Sequence, residues 1–183
     1  MCHQQFKPGC SANASFSPVL FSILCSVQHT SGCPVSIEWR QFASQAGRFH
    51  ILMPGAPVEE TETLSTPLGN LVQHSFRVEM GDRLYAVTYS DLPEERSEAE
   101  ALAGAKGGAM SAIERLGRAE IISEAPFSFR EYGGFEIGVR VERLGYATLR
   151  GFVAQRRLYV LMAGHPQTVD EQVTRFFSSF DLQ

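Results

Sequence analysis

His50 and His74 stand in neighbouring stretches of alternating hydrophobicity, and two imidazoles meeting across a sheet would supply two of the three protein ligands that a catalytic zinc needs. A third ligand is not in evidence, because no His-Glu-x-x-His segment occurs and His165 precedes Pro166 in a predicted loop. The two histidines are therefore read as ordinary strand residues, and no metal is expected. Glu59, Glu60 and Glu62 could gather around a cation. Carboxylates spread along the start of a strand more simply describe a solvated edge that discourages pairing with another chain. The segment AGAKGG, residues 103–108, has the look of a phosphate loop, but it lies inside a helical pattern and lacks the Ser or Thr that should follow its lysine. Ser90 beside Asp91 reads as a helix entry rather than as a nucleophile, since no Gly-x-Ser-x-Gly elbow surrounds it. A carboxylate pair such as Glu131 with Glu136 stays open, because its spacing depends on the fold. The balance leans away from an enzyme, and no cofactor is expected.

Arg143, Arg150, Arg156 and Arg157 lie on adjacent strand-like runs, where guanidinium groups in a row would suit an anionic ligand or an acidic partner. The alternative is a solvated sheet surface in which they pair with Glu136 and Glu142. The formal net charge of -4 removes any general attraction to nucleic acid or anionic lipid.

Charge is distributed unevenly. Residues 1–37 contain no acidic residue and one basic residue, Lys7, whereas all 20 acidic residues lie from Glu38 onward. The four cysteines, Cys2, Cys10, Cys25 and Cys33, also precede residue 34, so the rest of the chain can form no internal disulfide and offers no thiol nucleophile. Phe16 to Val27 is an uncharged, largely apolar run of 12 residues, short for a bilayer span and suited to the apolar region of a signal peptide. Ser31 and Gly32 before Cys33 resemble a bacterial lipoprotein cleavage box, with Thr30 where an aliphatic residue is usual. The expectation is a signal-like or disordered segment at 1–35 and a single α+β domain at 36–183. The protein is expected to be exported to a periplasm or lumen, with Cys33 as the point of lipid attachment if it is tethered. A cytoplasmic protein with a mis-assigned start is the alternative.

The body reads as strands closed by turns. Phe49, Ile51 and Met53 alternate with His50 and Leu52, and Pro54 and Pro57 stop the run by removing amide donors. Residues 58–66 and 70–80 form a predicted hairpin around PLGN, and a turn at Gly81 leads into the strand LYAVTYSDL. A helix is predicted from Asp91 to Gly117, with Asp91 and Glu94 as a capping box, Pro93 in the first turn, and an apolar stripe of Leu102, Ala105, Ala109, Ile113 and Leu116. Gly104, Gly107 and Gly108 weaken this helix, which suggests close approach to the sheet. Four further strand-like runs lead to a closing helix. Thr168 and Glu171 form its capping box, and Val169, Val173, Phe176, Phe177 and Phe180 form its stripe.

The segments WRQFASQAGRFHILMPGAP, LYAVTYSDLP, RLYVLMAG and RFFSSFDL occur in this order across residues 39–182. Together they resemble small bacterial, often cyanobacterial, envelope proteins whose fold is similar to that of the photosystem II extrinsic subunit PsbP and the Ran-binding Mog proteins. The resemblance implies an antiparallel sheet of six to seven strands with helices packed on both faces. It carries no catalytic residue. No PsbP or Ran-contact motif is matched, so neither photosystem binding nor nucleotide exchange transfers with it. The reading is a non-catalytic accessory, assembly or binding module of the envelope or thylakoid lumen, with another envelope protein or complex as partner. A small-ligand carrier and an unrecognised carboxylate/histidine hydrolase are the alternatives. Oligomeric state is not readable from the sequence.

Overall fold

Strand β2 (Phe49–Met53) shows how alternation becomes burial: Phe49, Ile51 and Met53 are buried while His50 and Leu52 are only partly covered. The computed structural model describes residues 38–66, 69–116, 118–142, 145–166 and 171–183. One edge of β2 pairs antiparallel with β1 (Arg40–Ser44), and the other with β10 (Asp181–Leu182), giving a three-stranded sheet in the order β1-β2-β10. The turn between β1 and β2 needs Gly47, since a Cβ there would come within 2.6 Å of the Phe49 ring. The amide of Gly47 donates to Ser44 Oγ at 3.0 Å.

The remaining strands are β3 (Val58–Thr66), β4 (Gly69–Met80), β5 (Arg83–Asp91), β6 (Ala119–Phe129), β7 (Tyr132–Val141), β8 (Gly145–Ala154) and β9 (Arg157–His165). They form one antiparallel sheet in the order β3-β4-β5-β9-β8-β7-β6. It consists of two meanders, β3 to β5 and β6 to β9, joined where β5 pairs with β9. The seven strands agree with the expected count. The separate small sheet is an addition that the sequence reading did not contain.

Side chains of successive residues on a strand point to opposite faces, so parity sorts the core. On β9, Tyr159, Leu161 and Ala163 share a buried cluster with Tyr85, Val87 and Tyr89 of β5 and with all three inward residues of β2. Helix α2 (Glu171–Ser178) adds Val173, Phe176 and Phe177 to that cluster, and Phe180, just past the helix end, completes it. Leu158, Val160 and Met162, the alternate residues of β9, belong with Leu102 and Ala105 of helix α1 (Glu98–Leu116). Ile113 and Ala109 of α1 cover Ile137, Val139 and Leu149. The predicted α1 stripe thus finds its place in four residues; the side chain of Leu116, and Thr168 and Val169 entirely, lie outside the described residues.

Several local expectations are corrected. Helix α1 starts later than predicted: Ser97 Oγ accepts from the Glu100 amide at 3.2 Å, and the Glu100 carboxylate accepts from the Ser97 amide at 3.0 Å and its hydroxyl at 2.7 Å. These hydrogen bonds hold the Glu100 carboxyl below the usual carboxylate range, the Ser97 hydroxyl most strongly and its amide next. Asp91 and Ser90 belong to β5, and Pro93 and Glu94 to the link that follows. The α1 glycines do not serve close packing against the sheet, since a Cβ at Gly104, Gly107 or Gly108 would meet no atom of the described residues within 4 Å. The true close approach is between Gly134 and Gly151 on paired strands, where a Cβ on Gly134 would lie 2.0 Å from the Gly151 carbonyl oxygen. His165 is the buried last residue of β9, not part of a loop.

Candidate functional site

Two turns converge at one end of the large sheet. The β8–β9 hairpin closes through two residues, Gln155 and Arg156, with φ of 49° and 63°. This is the φ pattern of a type I′ turn, which suits Asn-Gly and penalises residues with a longer side chain. Arg48, which ends the β1–β2 turn, has a φ of 53°. Together with Arg157, Asp91 and Tyr159 these residues line a cleft of about 160 Å³. Among the described residues only four non-glycine positions have positive φ, and the cleft contains three of them.

Arg157 forms the floor. It faces Asp91 across the β5–β9 pairing, donating from Nε at 2.6 Å and Nη2 at 3.0 Å to the two carboxylate oxygens. Its Nη1 donates to the Ala46 carbonyl, and the guanidinium lies 4.8 Å from the centre of the Tyr89 ring. Burial works against the Arg157 charge, and the hydrogen bonds and charge of Asp91 outweigh it, so its pKa stays above the ordinary arginine value. The Tyr159 hydroxyl donates to the Gly47 carbonyl at 2.8 Å, and burial pushes its pKa up against the opposing pull of Arg157. Arg156 donates to the carbonyls of Pro93 and of Arg96, the latter at 3.2 Å, tying the hairpin to the link before α1. Arg48 is exposed and its side chain has no hydrogen-bond or ion-pair partner among the described residues.

Of the four arginines singled out in the sequence, Arg156 and Arg157 meet in this cleft. Arg150 lies mid-strand, where its Nε donates to Glu136 at 2.6 Å and its guanidinium sits 4.9 Å from the Phe127 ring and 4.5 Å from that of Phe177. Glu136 is thereby ion-paired with Arg150, and Glu131 lies in the turn that precedes β7. Arg143 and Cys33 lie outside the described residues. The sequence reading missed Arg48, because nothing in residue type separates an arginine that ends a turn from any other surface arginine.

The histidines are apart. His50 is on the small sheet and His74 on the large one, so they do not pair across one sheet. His74 stacks on Tyr89 at 4.7 Å and lies 3.0 Å from Thr61 Oγ1. Among the described residues no three His, Cys, Asp or Glu side chains are grouped to hold a metal ion.

The two edges of the large sheet differ in chemistry. Edge strand β3 carries Glu59, Glu60 and Glu62, with Glu60 3.0 Å from Arg77. Edge strand β6 is exposed over most of its length. A register shift between Ile121 and Ser123 leaves Ile121 and Ile122 adjacent and 47% and 50% exposed. On the same strand Glu120 pairs with Arg140, and Glu124 with Lys106 of α1.

No family model and no curated protein matches the chain. Among solved structures, the solution structure of cyanobacterial PsbP (CyanoP) from Synechocystis sp. PCC 6803 superposes with a TM-score of 0.56 at 14% sequence identity. The match covers 85% of this chain and 99% of that one. The chain therefore has a PsbP-like fold, which agrees with the resemblance seen in its sequence.

Proposed function

We propose that this PsbP-like body is a non-catalytic accessory, assembly or binding module of the cell envelope or thylakoid lumen. In this reading the large sheet is sandwiched between α1 on one face and α2 with the small sheet on the other, and a partner protein docks at the β6 edge. The observation that carries the proposal is the contrast between the two sheet edges. An undefended edge invites pairing, and β3 is defended by acidic side chains. β6 instead presents two adjacent isoleucines at a bulge, flanked by the ion-paired Glu120 and Glu124. An apolar centre inside a charged rim is the composition of a transient protein interface. The bulge and Pro126, which lacks an amide donor, work against open-ended strand addition, so contact is made through side chains. The test is affinity capture from the native membrane fraction with the wild type and with the double variant Ile121→Glu/Ile122→Glu. Both positions are exposed, so the variant should keep its melting temperature. A reproducible partner held by the wild type and lost by the variant supports the proposal; an identical set on both, or none on either, counts against it.

Residues 36–183 form the folded domain in this proposal, and the acid-free leader with its apolar run is an export signal. Among the described residues no helix is long and apolar enough to cross a membrane. In this reading a tether, where there is one, is a lipid on Cys33. Metabolic labelling with a fatty-acid analogue, compared between the wild type and Cys33→Ser, tests the tether, and the intact mass of the mature protein tests cleavage. The 36–183 fragment should melt at the same temperature with and without reductant, since every cysteine lies upstream.

A further inference from the structure

We infer that the cleft between Arg48, Arg156 and Arg157 is a binding site for a dianionic tetrahedral oxyanion: phosphate, or the phosphoryl group of a small organic molecule. This inference does not rest on docking at the β6 edge.

Charge is the first argument. Three guanidinium groups line the cleft against one carboxylate, and Asp91 spends both its oxygens on Arg157. Arg156 is held by the carbonyls of Pro93 and Arg96, neutral acceptors that fix its position without cancelling its charge. The Arg48 side chain has no hydrogen-bond or ion-pair partner among the described residues. Two guanidinium groups that no carboxylate among the described residues pairs with thus line one small space, where an anion can be met by both.

The backbone gives the second. A two-residue hairpin needs no arginine, and Asn-Gly would close it with less strain than Gln155-Arg156. The left-handed conformations of Arg48, Gln155 and Arg156 occur together at this cleft. Strain of this kind is a recognised mark of sites where side-chain placement matters more than local stability.

Geometry selects the ligand. The arginines approach from separate places in the chain: the β1–β2 turn, the hairpin turn and the first residue of β9. A planar carboxylate is satisfied by a single guanidinium, as Asp91 is here, whereas a tetrahedral oxyanion offers acceptors in several directions. A space of about 160 Å³ admits a phosphate group and is too small to enclose a nucleotide. Arg157 and Arg156 are already locked, and Arg48 is free to close on the ligand.

The test is titration of the isotopically labelled full-length chain with inorganic phosphate at constant ionic strength, followed by amide NMR, with phenyl phosphate as a second probe. The expected result is saturable shifts concentrated at Arg48, Gln155, Arg156 and Arg157. They should weaken about tenfold or more in Arg48→Gln. They should be unchanged in Arg140→Gln, which removes an exposed arginine paired with Glu120 at 2.7 Å on another strand. Tighter binding of phenyl phosphate would identify a phosphoryl group as the ligand, and equal binding free phosphate. Shifts that are diffuse and unsaturated for both probes, or equally strong in Arg48→Gln, would overturn the inference.

Discussion

Replacing Gly104, Gly107 and Gly108 of α1 together by alanine should stabilise the protein. Glycine inside a helix costs about 1 kcal/mol relative to alanine, chiefly through the backbone entropy of the unfolded chain. The opposing term would be steric, and among the described residues it is absent at all three sites, since an added Cβ meets no atom of theirs within 4 Å. The three residues are exposed, so no core packing changes. Independent contributions therefore sum to roughly 3 kcal/mol, which for a domain of this size is a rise in melting temperature of about 6–12 °C. Urea denaturation is the assay: the midpoint should rise while the slope is unchanged, because the surface exposed on unfolding is the same. A lower midpoint would refute the reasoning and would show these glycines to be covered, by a partner or by a part of the chain outside the described residues.

Other substitutions should act in the opposite direction. Phe177→Ala removes a buried ring of α2 that also lies beneath the Arg150 guanidinium, and should cost on the order of 3–4 kcal/mol in the same urea experiment. Gly134→Ala forces a Cβ to within 2.0 Å of the Gly151 carbonyl oxygen, so β7 and β8 must separate; loss of slow-exchanging amides along that pairing is the expected readout. The Glu100 carboxyl is held below its ordinary pKa, so its contribution to stability is present above the unfolded value and disappears as pH falls through the folded one. The melting-temperature gap between wild type and Glu100→Gln should accordingly be open at neutral pH and closed in acid well below the carboxylate range.

The long strands with strict alternation were legible because burial of one face imposes a period of two, as in Phe135, Ile137, Val139 and Val141 of β7. Strand β1 was not, since RQFAS is exposed at three of its residues and shows no apolar alternation, and neither was β10, whose two residues carry no pattern; both are strands by pairing with β2. The start of α1 was misplaced because Asp91, Pro93 and Glu94 have the local spacing of a helix cap. The partner that holds Asp91 in a strand is Arg157, 66 residues further on, and no local pattern reports it. The arginine cleft was half legible: Arg156 and Arg157 stood out as a pair, whereas Arg48 joins them only because two turns distant in the chain meet at one end of the sheet.

The junction of the two meanders at β5 and β9 also governs how the chain can fold. Each meander forms from neighbouring hairpins, but the central pairing must close a loop holding all of α1 and β6 to β8, an entropic cost incurred before any of its contacts are gained. Pairing of Asp181 and Leu182 with His50 and Phe49 closes a longer loop still, which holds the whole of the large sheet. Until it closes, the edge of β2 opposite β1 has no partner strand, and only water satisfies its backbone donors and acceptors.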